Sequence, residues 1–192
     1  MRNATALALA ILLLAPAGLT AQAADHPNSL TLFGTFGYVR NVSKFDVPIP
    51  GINQDGVAGS IRVMWHPEYL LSGGLEVGKS HVYSVEQTLS DGSHLHSTLD
   101  IVPILFIFSM SPWHRVHLSI GGGPTISKST ATSLGNTASS SAVGASIMAS
   151  IIYLVPLSGK LGIGGEFRFL RTTKYEDNNL SLSVTLAYRF LH

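Results

Sequence analysis

The stretch Leu180-Ser-Leu-Ser-Val-Thr-Leu-Ala-Tyr-Arg-Phe190 decides the fold. Leu180, Leu182, Val184, Leu186, Tyr188 and Phe190 share one parity, and Ser181, Ser183, Thr185, Ala187 and Arg189 share the other. A β-strand turns successive side chains to opposite faces. This segment therefore has one wholly apolar and aromatic face and one that is mostly small and polar. The same alternation runs through Leu161–Phe169, Val143–Tyr153, Val116–Gly121, Leu71–Gly78 and Val57–Trp65. Leu30–Tyr38 reads as a strand with a less regular pattern. Leu95–Phe108 ends in a nearly continuous apolar run, and its two faces are not separated by the pattern. Eight strands result.

Composition decides which face meets what. The 192 residues hold no cysteine, 45% are hydrophobic and only 12% are charged. That charged fraction is about half the ~25% of ordinary soluble chains. Twelve Lys and Arg against eleven Asp and Glu leave a formal charge of +1, which excludes an electrostatic nucleic-acid binder. Without cysteine there is no disulfide framework, thiolate zinc site or Cys nucleophile. A soluble lipocalin-like carrier would turn the apolar face inward and leave Ser, Gly, Ala and Thr to meet water. Such a surface lacks the Lys and Glu that keep strands soluble. The reverse arrangement fits better, with small residues filling a narrow lumen and the apolar face against lipid. The expected fold is all-β, an eight-stranded antiparallel up-and-down transmembrane β-barrel.

Residues 1–23 read as a cleaved signal peptide: Arg2 supplies the positive start, Thr5–Leu14 the apolar region and Ala21-Gln22-Ala23 the cleavage site. The barrel domain is then 24–192, in the outer membrane of a Gram-negative cell. The connections support that placement. Those near 41–55, 84–93, 124–141 and 172–179 are longer, and those near 66–68, 109–112 and 155–159 are short. Outer-membrane barrels have short periplasmic turns and longer outer loops. Trp65, Tyr69, Trp113, Tyr153, Tyr188 and Phe190 fall at the expected periplasmic ends, and Tyr38, Tyr83 and Phe169 near the outer ends. Two aromatic girdles at the headgroup levels are expected.

With these features in place, the chain resembles the small outer-membrane β-barrel proteins of the OmpX, OmpA-barrel and OmpW group. The resemblance rests on the leader, the eight alternating segments, the glycine-rich His117-Leu-Ser-Ile-Gly-Gly-Gly-Pro124 and the closing strand ending in Phe190. It implies recognition of that strand by the barrel-assembly machinery, although Leu191 and His192 extend past the terminal aromatic. It also implies contact with outer-membrane lipid and lipopolysaccharide. A monomer is expected and, unlike in full-length OmpA, no peptidoglycan-binding domain after the barrel.

Little in the chain points to chemistry. The candidate lumen charges are Arg62, Glu76, Arg115, Glu166, Arg168 and Arg189, with Asp100 a further member. Buried charges must pair, so a salt-bridge network is expected in which Glu76 and Glu166 bridge the arginines. Its reading is a structural plug; the alternative is a gate. His94-x-His96 lies near Asp91, which is too few ligands for a metal site, and His114 and His117 fall on opposite faces. His117-Leu-Ser119 is similar to the His-x-Ser pair of outer-membrane lipid A deacylases, but Ile120 stands where that motif has Asn, and both residues have lumen parity near the periplasmic end. No catalytic, cofactor or metal residue is therefore assigned, and no cofactor is expected. Four roles follow: a structural or surface-interaction barrel acting through its outer loops, with the loop partner unspecified; a porin-like narrow channel or hydrophobic-solute conduit, suggested by the apolar part of Leu95–Phe108 and by Met64, Met148 and Ile152 on the lumen parity; and, more remotely, the deacylase or the soluble carrier.

Overall fold

A computed structural model of the chain describes residues 29–43, 51–67, 71–88, 94–133, 136–173 and 177–191. The expected signal peptide, Tyr69 and Asp91 lie outside them. The strands are β1 (Ser29–Asn41), β2 (Ile52–Asn53), β3 (Asp55–His66), β4 (Leu71–Thr88), β5 (His94–Trp113), β6 (Val116–Ser133), β7 (Asn136–Pro156), β8 (Leu161–Thr172) and β9 (Asn178–Leu191). Each expected strand is present, extended at one or both ends. The two-residue β2 pairs only with the outer end of β4, Ile52 opposite Val85. Gly51 enters it at φ +75°, where a Cβ would strike the Glu86 carbonyl oxygen, so this turn requires glycine.

The other eight strands form a ring. Each pairs antiparallel with the next, and β9 closes on β1 along Leu30–Asn41. Closure removes the free edges that would otherwise invite aggregation. The stagger follows from the register. Pairing leads from Thr31 to Met64, Gly74, Ile107, Gly121, Met148, Leu170 and Asn179, and returns to β1 at Asn41, ten residues above the start. With a rise of ~3.3 Å per residue and ~4.8 Å between strands, that stagger tilts the strands by about 40° and sets a backbone radius of about 8 Å. Such a bore is filled by side chains.

The faces fall as lipid exposure requires. Phe36, Ile61, Leu75, Phe106, Ile120, Phe167, Leu182 and Val184 all point outward and are at least half exposed. Their lumen-facing neighbours, among them Ser60, Arg62, Glu76, Ser119, Glu166 and Thr185, are buried. An apolar band running around the whole wall rules out the soluble-carrier arrangement. Trp65, Trp113, Tyr153, Tyr188 and Phe190 ring the end where the chain enters and leaves β1 and β9, all outward and exposed. Tyr38 stands at the opposite end of the band. Tyr83 departs from the expected outer girdle. A bulge between His81 and Tyr83 places it opposite Leu99, where it packs against the buried apolar cluster.

One open face assignment is settled and one sequence expectation is corrected. β5, whose faces the sequence left open, turns Leu99, Ile101, Leu105 and Ile107 inward and Ile104, Phe106, Phe108 and Met110 outward. Both faces are apolar because this side of the lumen holds an apolar cluster with Phe33, Met64, Met148 and Leu170. The interior is thus less polar than its small residues suggest. The expected long loop near 124–141 is mostly strand: β6 runs to Ser133, β7 starts at Asn136, and Ser133 pairs with Asn136. The outer excess lies in strand length. β5, β6 and β7 have 20, 18 and 21 residues, about twice the ~9–11 needed to cross a bilayer.

Candidate functional site

Among the described residues, four charged side chains gather in the lumen. Arg62 on β3 and Glu76 on β4 are direct cross-strand partners. Glu166 and Arg168 project from β8, on the opposite side of the ring, two residues apart and so on one face. The four side chains meet across the bore. Arg62 Nε donates to Glu76 Oε2 at 2.6 Å, and its Nη2 to Glu166 Oε1 at 2.8 Å. Arg168 Nη1 donates to Glu76 Oε1 at 2.5 Å, and its Nη2 to Glu166 Oε2 at 3.0 Å and to Ser60 Oγ at 3.2 Å. Each carboxylate is held by both arginines, and two positive charges balance two negative ones. Arg62, Glu76 and Glu166 are at most 1% exposed. Ions this deep persist only when paired and hydrogen-bonded, and here they are both. The group forms a crossbar tying β3 and β4 to β8.

The remaining expected lumen charges lie elsewhere. Arg115 is exposed in the tight turn between β5 and β6 and does not reach the bore. Arg189 has the lumen face but sits opposite Thr31 at the periplasmic mouth, below the crossbar. Asp100 points outward, because its neighbours Leu99 and Ile101 take the lumen face of β5. It accepts from His81 Nδ1 at 2.8 Å and pairs with Lys79 Nζ at 3.2 Å, so the charge that sequence parity left open belongs to the outer wall. A second outward pair, Arg40 with Asp55 at 3.7 Å, lies beside Tyr38, whose hydroxyl donates to Asp55. Both pairs stand at the upper edge of the apolar band.

The histidines form no catalytic or metal constellation among the described residues. His96 Nδ1 pairs with the exposed Glu86 at 3.4 Å. Asp91 and the side chain of His94 lie outside the described residues. His114 is exposed. His117 Nδ1 bonds Ser111 Oγ at 2.8 Å, while Ser119 Oγ donates to Ser109 Oγ at 3.0 Å. The His117–Ser119 pair is thus divided between two other serines, and the hydrogen bond that would activate the serine is not made.

This architecture compares directly with solved structures. Ail, the attachment invasion locus protein of Yersinia pestis, aligns with a TM-score of 0.58 at 10% identity over 86% of this chain and 100% of its own. Its complex with the heparin analogue sucrose octasulfate gives 0.55 at 12%, over 85% and 97%. A major outer membrane protein from Thermus thermophilus gives 0.52 at 13%, over 86% and 100%. The fold is that of the small bacterial outer-membrane β-barrels. No family model matches the chain, and no curated protein does.

Within that barrel, the sequence missed the residues around the crossbar and above it. Ser60 accepts from Arg168 and bonds Thr35 at 2.8 Å. A cavity of about 20 Å³ lies between Arg168 and Asn179, lined by Ser80 and Ser181, room for about one water. Asn41, Thr172, Asp177 and Asn179 close the lumen beyond it, each at most 3% exposed. Extending the lumen parity up to three residues past each expected strand end would have found all four.

Proposed function

We propose that the protein is a monomeric integral barrel of the outer membrane that acts at the cell surface through its projecting strands, with a lumen that neither conducts nor catalyses. The observation that carries this reading is the crossbar of Arg62, Glu76, Glu166 and Arg168, which fills the bore at mid-height with a neutral, fully paired group. What is left free is the outer end of the barrel. There the β6–β7 hairpin continues the ladder to Ser133 and Asn136 with Thr130, Ala131, Thr132, Thr137, Ala138 and Ser139 on its faces. A long regular hairpin on a rigid scaffold offers a preformed surface to a partner, where an irregular loop would have to be ordered first. Between Ser129 and Ser140 the described residues carry no charge. The partner is therefore engaged through hydroxyls and backbone, which sets this hairpin apart from a surface that binds a polyanion such as a heparin analogue. The apolar band holds the barrel in lipid, with lipopolysaccharide outside the upper edge. Strand β9 carries the signal for the assembly machinery.

The test replaces residues 130–139 by Asn-Gly, joining the cross-strand partners Ser129 and Ser140 in a two-residue turn. Cells displaying the shortened barrel are expected to lose adherence to one another or to host cells while the barrel keeps its heat-modifiable gel mobility. Unchanged adherence, or discrete conductance of the intact barrel in planar bilayers, would overturn the reading.

A further inference from the structure

The outer mouth of the lumen is closed by polar side chains that lack partners. Thr172 ends β8, and its N–H donates to the Asp177 carbonyl at 2.9 Å, so the two residues face each other across the β8–β9 ladder. Asn179 lies two residues further along β9, on the same face, opposite Asn41 of β1. Asn41 Nδ2 donates to Asp177 Oδ1 at 3.2 Å, and Asn41 Oδ1 accepts from the Ser43 N–H at 2.8 Å. Four atoms remain: Thr172 Oγ1, Asp177 Oδ2, Asn179 Oδ1 and Asn179 Nδ2 are buried without any hydrogen-bond partner. Buried polar atoms are nearly always paired, and here four orphans share one small patch.

Three of them are oxygens, and the fourth, the Asn179 amide nitrogen, is a donor for water. A hydroxyl, an amide carbonyl and a carboxylate are the oxygen donors that hard cations take. The carboxylate supplies one negative charge, and among the described residues no cationic side chain pairs with Asp177. Burial pushes the Asp177 carboxyl above its ordinary range, with only the Asn41 hydrogen bond opposing it. A countercharge would relieve that. The spacing suits one ion. Side chains opposed across an antiparallel ladder have Cβ atoms ~5 Å apart, residues two apart on a strand lie ~6.5 Å apart, and a calcium-class ion sits ~2.3–2.6 Å from each oxygen.

We propose that Thr172, Asp177 and Asn179 form a binding site for a hard cation of the Ca²⁺ class, which seals the outer mouth of the lumen. Water completes the shell. The ion clips the end of β8 to the start of β9, and through Asn41 to the end of β1. With a single carboxylate the site is weak, in the range of ~10⁻⁴–10⁻³ M seen for extracellular calcium modules.

The experiment is urea unfolding of the protein refolded in a zwitterionic detergent, without lipid phosphate, in EDTA and in 10 mM CaCl₂. Calcium is expected to lower the unfolding equilibrium constant of the wild type about 10- to 100-fold. Asp177→Asn is expected to respond less than about twofold, and in EDTA to be at least as resistant as the wild type, because it removes an unpaired buried charge. That inversion of rank order between the two conditions is the signature. Thr172→Val keeps the charge and should weaken the response. Asp55→Asn, at the exposed outer edge, should respond as the wild type does. Calcium without effect on the wild type, an equal response in Asp177→Asn, or a response lost in Asp55→Asn overturns the proposal; the first two outcomes leave buried water as the partner of the orphaned oxygens.

Discussion

Glu76 is the residue on which the two halves of the lumen lean. It accepts from Arg62 on the neighbouring strand and from Arg168 across the bore. Replacing it by Gln keeps the volume but leaves two arginines facing one carboxylate at zero solvent exposure. Breaking a buried pair in this way costs about 3–5 kcal/mol, so Glu76→Gln should lower the temperature at which the folded gel band is lost. Adding Arg62→Met restores neutrality, and the two losses should fall short of additive by about 1–3 kcal/mol in urea unfolding. Additive losses would mean that the pair does not act as a unit. Ser119 gives the opposite expectation. Its hydroxyl is engaged with Ser109 rather than His117, so Ser119→Ala should leave the acylation pattern of the cell's lipid A unchanged by mass spectrometry. At this scale the four crossbar members were legible, because charge at lumen parity has nowhere to go except to a partner. Arg115 and Asp100 were not. One sits in a turn whose length fixes no parity, and the other on the strand whose two faces are equally apolar.

Strands β7 and β8 show what an element adds to the residues in it. Gly164 faces the lumen opposite Leu154, and a Cβ there would fall on the Tyr153 carbonyl oxygen of the neighbouring strand. The strands can coil this tightly only where the side chain is absent. Gly164→Ala should therefore destabilise the barrel by about 1–3 kcal/mol, as overpacking does elsewhere. Gly34→Ala, where a Cβ meets nothing within 4 Å, should be close to neutral; similar losses at both positions in urea unfolding would show that glycine content alone matters. Period-two alternation found the eight strands of the ring but not the two-residue β2, and it placed strand ends too early at the outer side. Beyond the bilayer the apolar face stops, and Thr, Ser and Ala carry β6 and β7 onward on backbone pairing alone. A run of hydroxyls with no hydrophobic period reads as loop, which is why the longest apparent loop proved to be a hairpin.

The molecule as a whole is decided by its wall. An eight-stranded ring with a ten-residue stagger could in principle be a soluble barrel; the outward apolar band is what makes it a membrane one. Depth along that band is fixed by the register. Val184 lies on β9 four residues from Tyr188 at the inner girdle and four from Leu180 near the outer edge. At about 40° of tilt, four residues climb about 10 Å, which puts Val184 close to mid-band, where it is 59% exposed. An arginine there faces hydrocarbon and should cost about 2–4 kcal/mol of folding free energy in phospholipid vesicles. At Val57, which pairs with Tyr38 near the outer edge, the same change should cost about 0–1 kcal/mol, since the side chain can reach the headgroups. In a soluble barrel with the apolar face turned inward, both valines would line the core, and arginine would be costly at each. The two substitutions, measured by refolding into vesicles, thus separate the orientations by the gradient between them: a steep cost at Val184 with little at Val57 fixes the band against lipid, and large costs at both would turn the wall inside out.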